Sequence, residues 1–424
     1  MKTAGIIAEY NPFHNGHKYH IEKTRELTGA DYVIVIMSGD FVQRGEPALL
    51  DKYLRTKMAL LNGADLVLEL PVLYSCAGAG DFAAAGVSML DRLGVVDFLS
   101  FGSESGDVSL LSAAADVLSA EPESFSRTLQ EHLKKGASFP KARAEAFFSA
   151  VSMEGSTPDA AFFSCPNNIL GMEYCRSLSE QNSSIKPVTF SRLGDGYHDP
   201  LTACPDRKSA QLPSASGIRQ ALLDSCKDPA AAKERIFPGL PENLHAFWNR
   251  ILPEQDFLFP DNFTKELRHC LLMQDSVSLQ AYADVNRELA DKLANTAGRF
   301  LSWSQLCDQL KSKEITYTRI SRALTHILLG LTREELLHFR SNGYVSYARI
   351  LGFQKSAAPL LSAIDKQTDI PLISKLADAW RLLPERSFSM LQKDVRAAHI
   401  RESALAAKKG TIPQHEYTRQ IVIL

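Results

Sequence analysis

Two histidines three positions apart, His14 and His17, enclose Asn15 and Gly16 near the start of the chain. At that spacing both imidazoles can face one side of a helix start. Gly16 lets the backbone come close to a bound group. Such a pair can face a phosphate held above the helix start. The surrounding residues suit the task. Ile6, Ile7 and Ala8 read as a buried parallel strand, and Asn11-Pro12 ends it. From Asn15 the pattern turns helical, with Tyr19 and Ile21 ahead of Glu22, Lys23, Arg25 and Glu26. A strand feeding a loop and then a helix N-terminus is a common anion site in α/β proteins. A solvated turn carrying two incidental histidines is the competing reading.

Further along, Tyr32–Met37 reads as a second buried strand, and it opens into the loop Ser38–Pro47, which carries Asp40. The carboxyl ends of strands line the ligand crevice of open α/β sheets, so this loop should face a nucleotide or its co-substrate. Asp65–Leu70 is a third strand. Val95–Phe101 is a fourth and breaks at Gly102, where a base or ribose can lie on bare backbone. Pro166, Asn167 and Asn168 open a helix, which an asparagine side chain would cap. Ile185–Phe190 leads to Arg192 and a glycine-rich loop, either a phosphate clamp or a surface turn. Ser214 and Ser216 precede Arg219 and an apolar-periodic run, the pattern of an N-cap. This β-α-β-α alternation predicts a doubly wound parallel sheet. Lys227–Phe263 reads as a connection with a short helix at its centre. Beyond it the chain reads as all helical, with helices including Leu279–Leu293, Thr318–Leu331 and Leu372–Leu383.

The 424 residues, 45% hydrophobic and 23% charged, suit a globular chain of two or three domains. No apolar run reaches the roughly 20 residues of a membrane span. Seven cysteines without a Cys-x-x-Cys pair argue against a disulfide framework or a zinc site. A cytoplasmic location without a membrane is the expectation. Residues 1–225 hold 20 Lys+Arg against 27 Asp+Glu, whereas 226–424 hold 27 against 22. An acidic half joined to a basic half points to a polyanion engaged by the C-terminal part. Ordinary solvated helix faces compete with that reading. In the C-terminal part, Tyr344–Lys355 interleaves aromatics with cations, as in a loop gripping RNA. Core aromatics with solvated charges are the alternative.

The His14-Asn-Gly-His17 run resembles the His-x-Gly-His signature of the adenylyl-transferring α/β superfamily. Ser214–Arg219 resembles its second signature, Ile-Ser-Ser-Thr-x-Ile-Arg, with Pro213, Ala215 and Ser216 as departures. The stretches Glu9–His17, Ser38–Pro47, Gly63–Pro71, Pro166–Gly171, Gly196–Asp199, Arg319–Arg322 and Tyr347–Phe353 together resemble the tRNA(Met) cytidine acetate ligase family. That resemblance implies a Rossmann-like nucleotidylyltransferase domain over 1–225 and an all-helical tRNA-binding domain over 226–424. It implies acetate activation by ATP, magnesium accompanying the nucleotide, and acetyl transfer to the wobble cytidine of elongator tRNA(Met). It assigns catalysis to His14, His17 and Arg219; Asp40, by its place on the loop after the second strand, is the residue expected to orient the amine or take its proton. Nucleotide binding falls to Ile7, Ala8, Glu9, Tyr10, Asn11, Pro12, Phe13, His14, Gly16, His17, Gly102, Asn167, Asn168, Arg192, Ser214, Ser216 and Arg219, with no protein-held metal. A nucleotidylyltransferase acting on a small phosphorylated metabolite and a non-catalytic tRNA-binding protein are the rival readings.

Overall fold

The computed structural model describes residues 1–137, 139–150, 162–192, 214–225, 228–254, 256–312 and 315–424. Leu193–Asp199 and Leu212-Pro213 of the sequence reading lie outside them. Ten strands are present among these residues: β1 (Thr3–Ala8), β2 (Tyr32–Ser38), β3 (Phe41–Val42), β4 (Glu46–Pro47), β5 (Leu66–Leu70), β6 (Phe98–Ser103), β7 (Lys186–Ser191), β8 (Ala348–Phe353), β9 (Leu372–Ile373) and β10 (Val422–Ile423). The main sheet runs β10-β8-β5-β2-β1-β6-β7, with β9 beside β8 and β3-β4 as a separate hairpin. From β5 to β7 every pairing is parallel. Successive residues of a strand point to opposite faces. Accordingly Ile6, Val33, Val35 and Val67 join one core, and Ile7, Ile34, Ile36 and Leu68 join the other. With both faces covered, the strands read as continuous apolar runs, the doubly wound architecture expected. Strand order reverses between β1 and β6, so the crevice lies above those two carboxyl ends.

The C-terminal half is largely helical, but it also returns to the sheet. The middle of the stretch read as an RNA-gripping loop is in fact β8, paired antiparallel with β5; Arg349 is buried on it and Tyr347 is buried just before it. Arg349 is tolerated there because Glu69 and Glu416 each meet it, at 2.8 and 2.6 Å. β10 then pairs with β8 and closes that edge. Two other expected helices break. In the first, Asn286 accepts from the Leu289 N–H and starts a new helix at Arg287, so Leu279–Leu293 is not continuous. In the second, Leu372–Leu383 becomes the short β9, a 3-10 turn and the one-turn helix Ala379–Leu382. The presumed connection before Phe263 holds two helices, Pro229–Ile236 and His245–Glu254, which bury Trp248 beneath the sheet. No helix among the described residues is long and apolar enough to cross a membrane.

Candidate active site

A cavity of about 390 Å³ opens at the β1/β6 switch point. Its wall includes Ile7, Ala8 and Glu9 from the end of β1, His14, His17 and His20 from the first helix, and Phe101 and Gly102 from β6. Asn167, Arg192, Ser214, Ser216 and Arg219 complete the polar side, while Phe82, Ile169, Leu170 and Tyr174 supply an apolar one. The volume is that of a small-molecule site.

The histidine pair is held by the helix it begins. His14 is the N-cap of Asn15–Thr28, and its Nδ1 accepts from the Gly16 N–H at 2.9 Å. The Nδ1 of His17 in turn accepts from the His14 N–H at 3.3 Å. A ring nitrogen that accepts a backbone N–H carries no proton, so each neutral ring keeps its proton on Nε2. The rings stack with centroids 3.9 Å apart. Burial, then Arg192 and Arg219, push His14 down to about 3. Burial, then His14 and Arg192, also push His17 well below the ordinary imidazole value. Both are therefore uncharged donors at neutral pH, fixed before any ligand arrives. Tyr10 and Phe13 do not line the cavity. Their buried rings brace His17, with centroids 4.8 and 5.6 Å away.

The remaining sequence-derived residues divide by position. The Arg219 guanidinium donates to the Asn11 carbonyl at 2.7 Å and lies 3.8 Å from Glu46. Ser214 caps the helix Ala215–Asp224 by accepting from the Gly217 N–H, while Ser216 is part of the cavity wall. Arg192 donates to the Asn167 side-chain oxygen at 3.2 Å. A Cβ at Gly102 would sit 3.0 Å from Arg192 Cγ, so glycine lets that arginine cross the strand. Asn167 also donates to Glu104 at 2.7 Å. Asn168 points elsewhere: it accepts from the Ser105 N–H and donates to the Phe162 carbonyl, tying two loops together. Neither asparagine caps the helix Pro166–Glu180. Asn11 is buried and accepts from the Leu49 N–H at 2.7 Å, Pro12 is buried beside it, and Gly16 contributes its N–H to His14.

The structure does not bring Asp40 to the cavity. It is 5% exposed, accepts from the Lys52 N–H at 3.2 Å, and faces Lys52 Nζ at 3.5 Å. Its loop does reach the cavity, through Gln43 and Arg44 at the turn of the β3-β4 hairpin. Sequence reasoning also missed His20, whose signal was its place one turn beyond His17. Its Nε2 lies 3.2 Å from the Ser100 carbonyl, and burial, then Arg192, lowers it to about 4. Phe82 and Tyr174 carried no signal, since nothing in a helix's own periodicity says which strand end its face will meet.

A model described as HIGH Nucleotidyl Transferase matches residues 1–416. A tRNA(Met) cytidine acetate ligase of Acetivibrio thermocellus is 36% identical over 425 residues, all of both chains. One of Clostridium kluyveri is 38% identical over 401 residues, 94% of this chain and 93% of its own. The crystal structure of Thermotoga maritima TmcAL bound with alpha-thio ATP superposes with a TM-score of 0.88 at 30% identity, covering both chains fully. The chain belongs to the tRNA(Met) cytidine acetate ligase family of HIGH nucleotidyl transferases.

Proposed function

We infer that this protein is an ATP-dependent ligase that activates acetate as acetyl-adenylate and moves the acetyl group to the N4 amine of the wobble cytidine of elongator tRNA(Met). The observation that carries the reading is the pair of neutral Nε2–H donors at the end of β1, inside a cavity walled by Arg192 and Arg219. A cytidine amine is a weak nucleophile, because its lone pair is delocalised into the ring. Acetate must therefore first acquire a good leaving group. An acetate oxygen attacks the α-phosphorus, pyrophosphate departs, and charge grows on its oxygens. Fixed donors and guanidinium groups stabilise that charge more than they stabilise bound ATP.

Arg192, Ser214, Ser216 and Arg219 suit the phosphates; Gly102 and Asn167 suit the nucleoside side. Among the described residues no group of three or more His, Cys, Asp or Glu side chains is arranged to hold a metal ion. Magnesium belongs to this reading as the companion of the triphosphate. Residues 226–424, with their surplus of cations, take the tRNA part, and 1–225 take the chemistry. Some of those cations serve the interior instead: Arg349, Lys393 and Arg401 are buried.

Incubation with ATP, radiolabelled acetate and elongator tRNA(Met), followed by nuclease digestion, should place label on N4-acetylcytidine. Label-free tRNA with AMP attached to a small phosphorylated acceptor would instead favour the metabolite-adenylylating reading. Bound tRNA without turnover would favour the non-catalytic one.

A further inference from the structure

We infer that Glu9 is the group that receives the cytidine N4 amine and takes its proton during acetyl transfer. This rests on the function proposed above and supplies the base that Asp40, buried away from the cavity, does not. Among the described residues that line the cavity, Glu9 is the one carboxylate side chain. It leaves β1 directly ahead of the histidine loop, and one of its oxygens accepts from the Gln43 N–H at 2.9 Å. A carboxylate is the natural acceptor for the two N4 hydrogens of cytosine. The same group repels the C4 carbonyl of uracil.

A second observation points to a ligand in the same cavity. Tyr174 is 2% exposed and lines the cavity, and its hydroxyl has no hydrogen-bond partner. Leaving a buried hydroxyl unpaired costs roughly 1–3 kcal/mol, a cost that a bound group relieves. Tyr174 feels the charge of Glu9, and a phenol O–H complements a ring acceptor such as cytosine N3 beside the N4 donors. Phe82, Ile169 and Leu170 provide the apolar surface along which a flipped base would lie.

The step balances. The N4 lone pair forms the N–C bond to the acetyl carbonyl carbon. The C–O bond to AMP breaks, and its electron pair stays on the phosphate oxygen. The N4 proton passes to a Glu9 carboxylate oxygen and from there to solvent. Burial raises the basicity of Glu9, partly offset by Arg44 and Arg219. Glu46, Tyr174 and Cys76 are the other titratable groups that feel its charge.

Two half-reactions make the test. Acetate-dependent ATP–pyrophosphate exchange reads activation without tRNA. Single-turnover acetylation of elongator tRNA(Met) reads transfer. Glu9→Gln retains an oxygen for the Gln43 N–H, so the fold is kept. It should slow transfer at least about 100-fold more than it slows exchange, and Glu9→Asp should recover part of that loss. The transfer rate of the wild type should rise with pH through the titration of Glu9, and the Gln variant should lose that rise. Tyr174→Phe should raise the KM for tRNA more than it lowers exchange. Equal loss of both half-reactions in Glu9→Gln, or transfer at the wild-type rate, would overturn the assignment. Wild-type protein lacking acetate-dependent exchange would instead sink the proposed function itself.

Discussion

His14 does two jobs that substitutions can separate. Its Nδ1 caps the first helix, and in the proposed function its Nε2–H donates to the departing phosphate. Asparagine is among the best N-caps and alanine a poor one. His14→Asn should therefore stay within about 0.5 kcal/mol of wild-type stability, while His14→Ala loses about 1 kcal/mol. Both should lose exchange activity by roughly 10²–10³-fold, the usual effect of removing one charge-stabilising donor. Denaturant titration beside exchange assays checks this; a His14→Asn variant with full exchange would leave the ring only a structural role. Much at this scale was legible in sequence, because strand, proline break, helix start and the two histidines are contiguous. Asp40 was misleading for a physical reason. An acidic residue after a strand looks solvent-facing on paper, yet Lys52, Glu69, Arg349, Arg401 and Glu416, spread over the whole chain, enclose its surroundings.

Among elements, the β3-β4 hairpin links the two halves. Its three-residue turn ends in Gly45 at φ +72°, which fits the left-handed position of such hairpins. The Gly45 carbonyl accepts from the Ser321 hydroxyl at 2.7 Å, and a Cβ on Gly45 would fall 2.3 Å from the Arg322 backbone nitrogen. The helix Tyr317–Leu329 therefore sits directly on the turn that aims Gln43 and Arg44 into the cavity. Gly45→Ala combines a disfavoured φ with a clash against backbone, and should destabilise by more than about 1 kcal/mol. It should also lower exchange, although residue 45 is not on the cavity wall; unchanged melting and exchange would contradict this coupling. The sequence offered the turn but not the helix that meets it, nearly 280 positions away. The strand β8 was hidden similarly: its one cation, Arg349, looked solvated because its carboxylate partners Glu69 and Glu416 lie far off in sequence.

Across the molecule, a buried ion cluster ties the chain's tail to the sheet. Lys52 Nζ lies 2.8 Å from both Glu69 and Glu416, and Arg349 bridges the same two carboxylates. Burial and Arg349 work against the charge on Lys52, but Glu416, Glu69 and Asp40 outweigh them and hold its pKa above the ordinary value. Lys52→Met would take one buried cation from three carboxylates and leave Arg349 alone against Glu69 and Glu416, at a cost of roughly 3–5 kcal/mol. A large drop in thermal midpoint is the expected result, and a neutral effect would contradict the account. Glu416 shows the acid side of the same cluster. Burial raises it, yet Lys52 and Arg349 bring it down to about 2 from an ordinary 4.5. A depressed carboxylate stabilises above its unfolded pKa and loses that contribution as pH falls. Stability should thus decline between about pH 4.5 and 2, and the decline should be shallower in Glu416→Gln. Parallel pH–stability curves for the two proteins would contradict it.

The central claim is that a neutral imidazole pair at the end of β1 draws charge from departing pyrophosphate. Acetate-dependent ATP–pyrophosphate exchange by wild type and His17→Asn tests it most directly, since asparagine keeps an acceptor for the His14 N–H. Robust exchange in wild type with a loss of about 10²–10³-fold in the variant is the predicted result. Equal exchange by the two proteins, both folded, would contradict it.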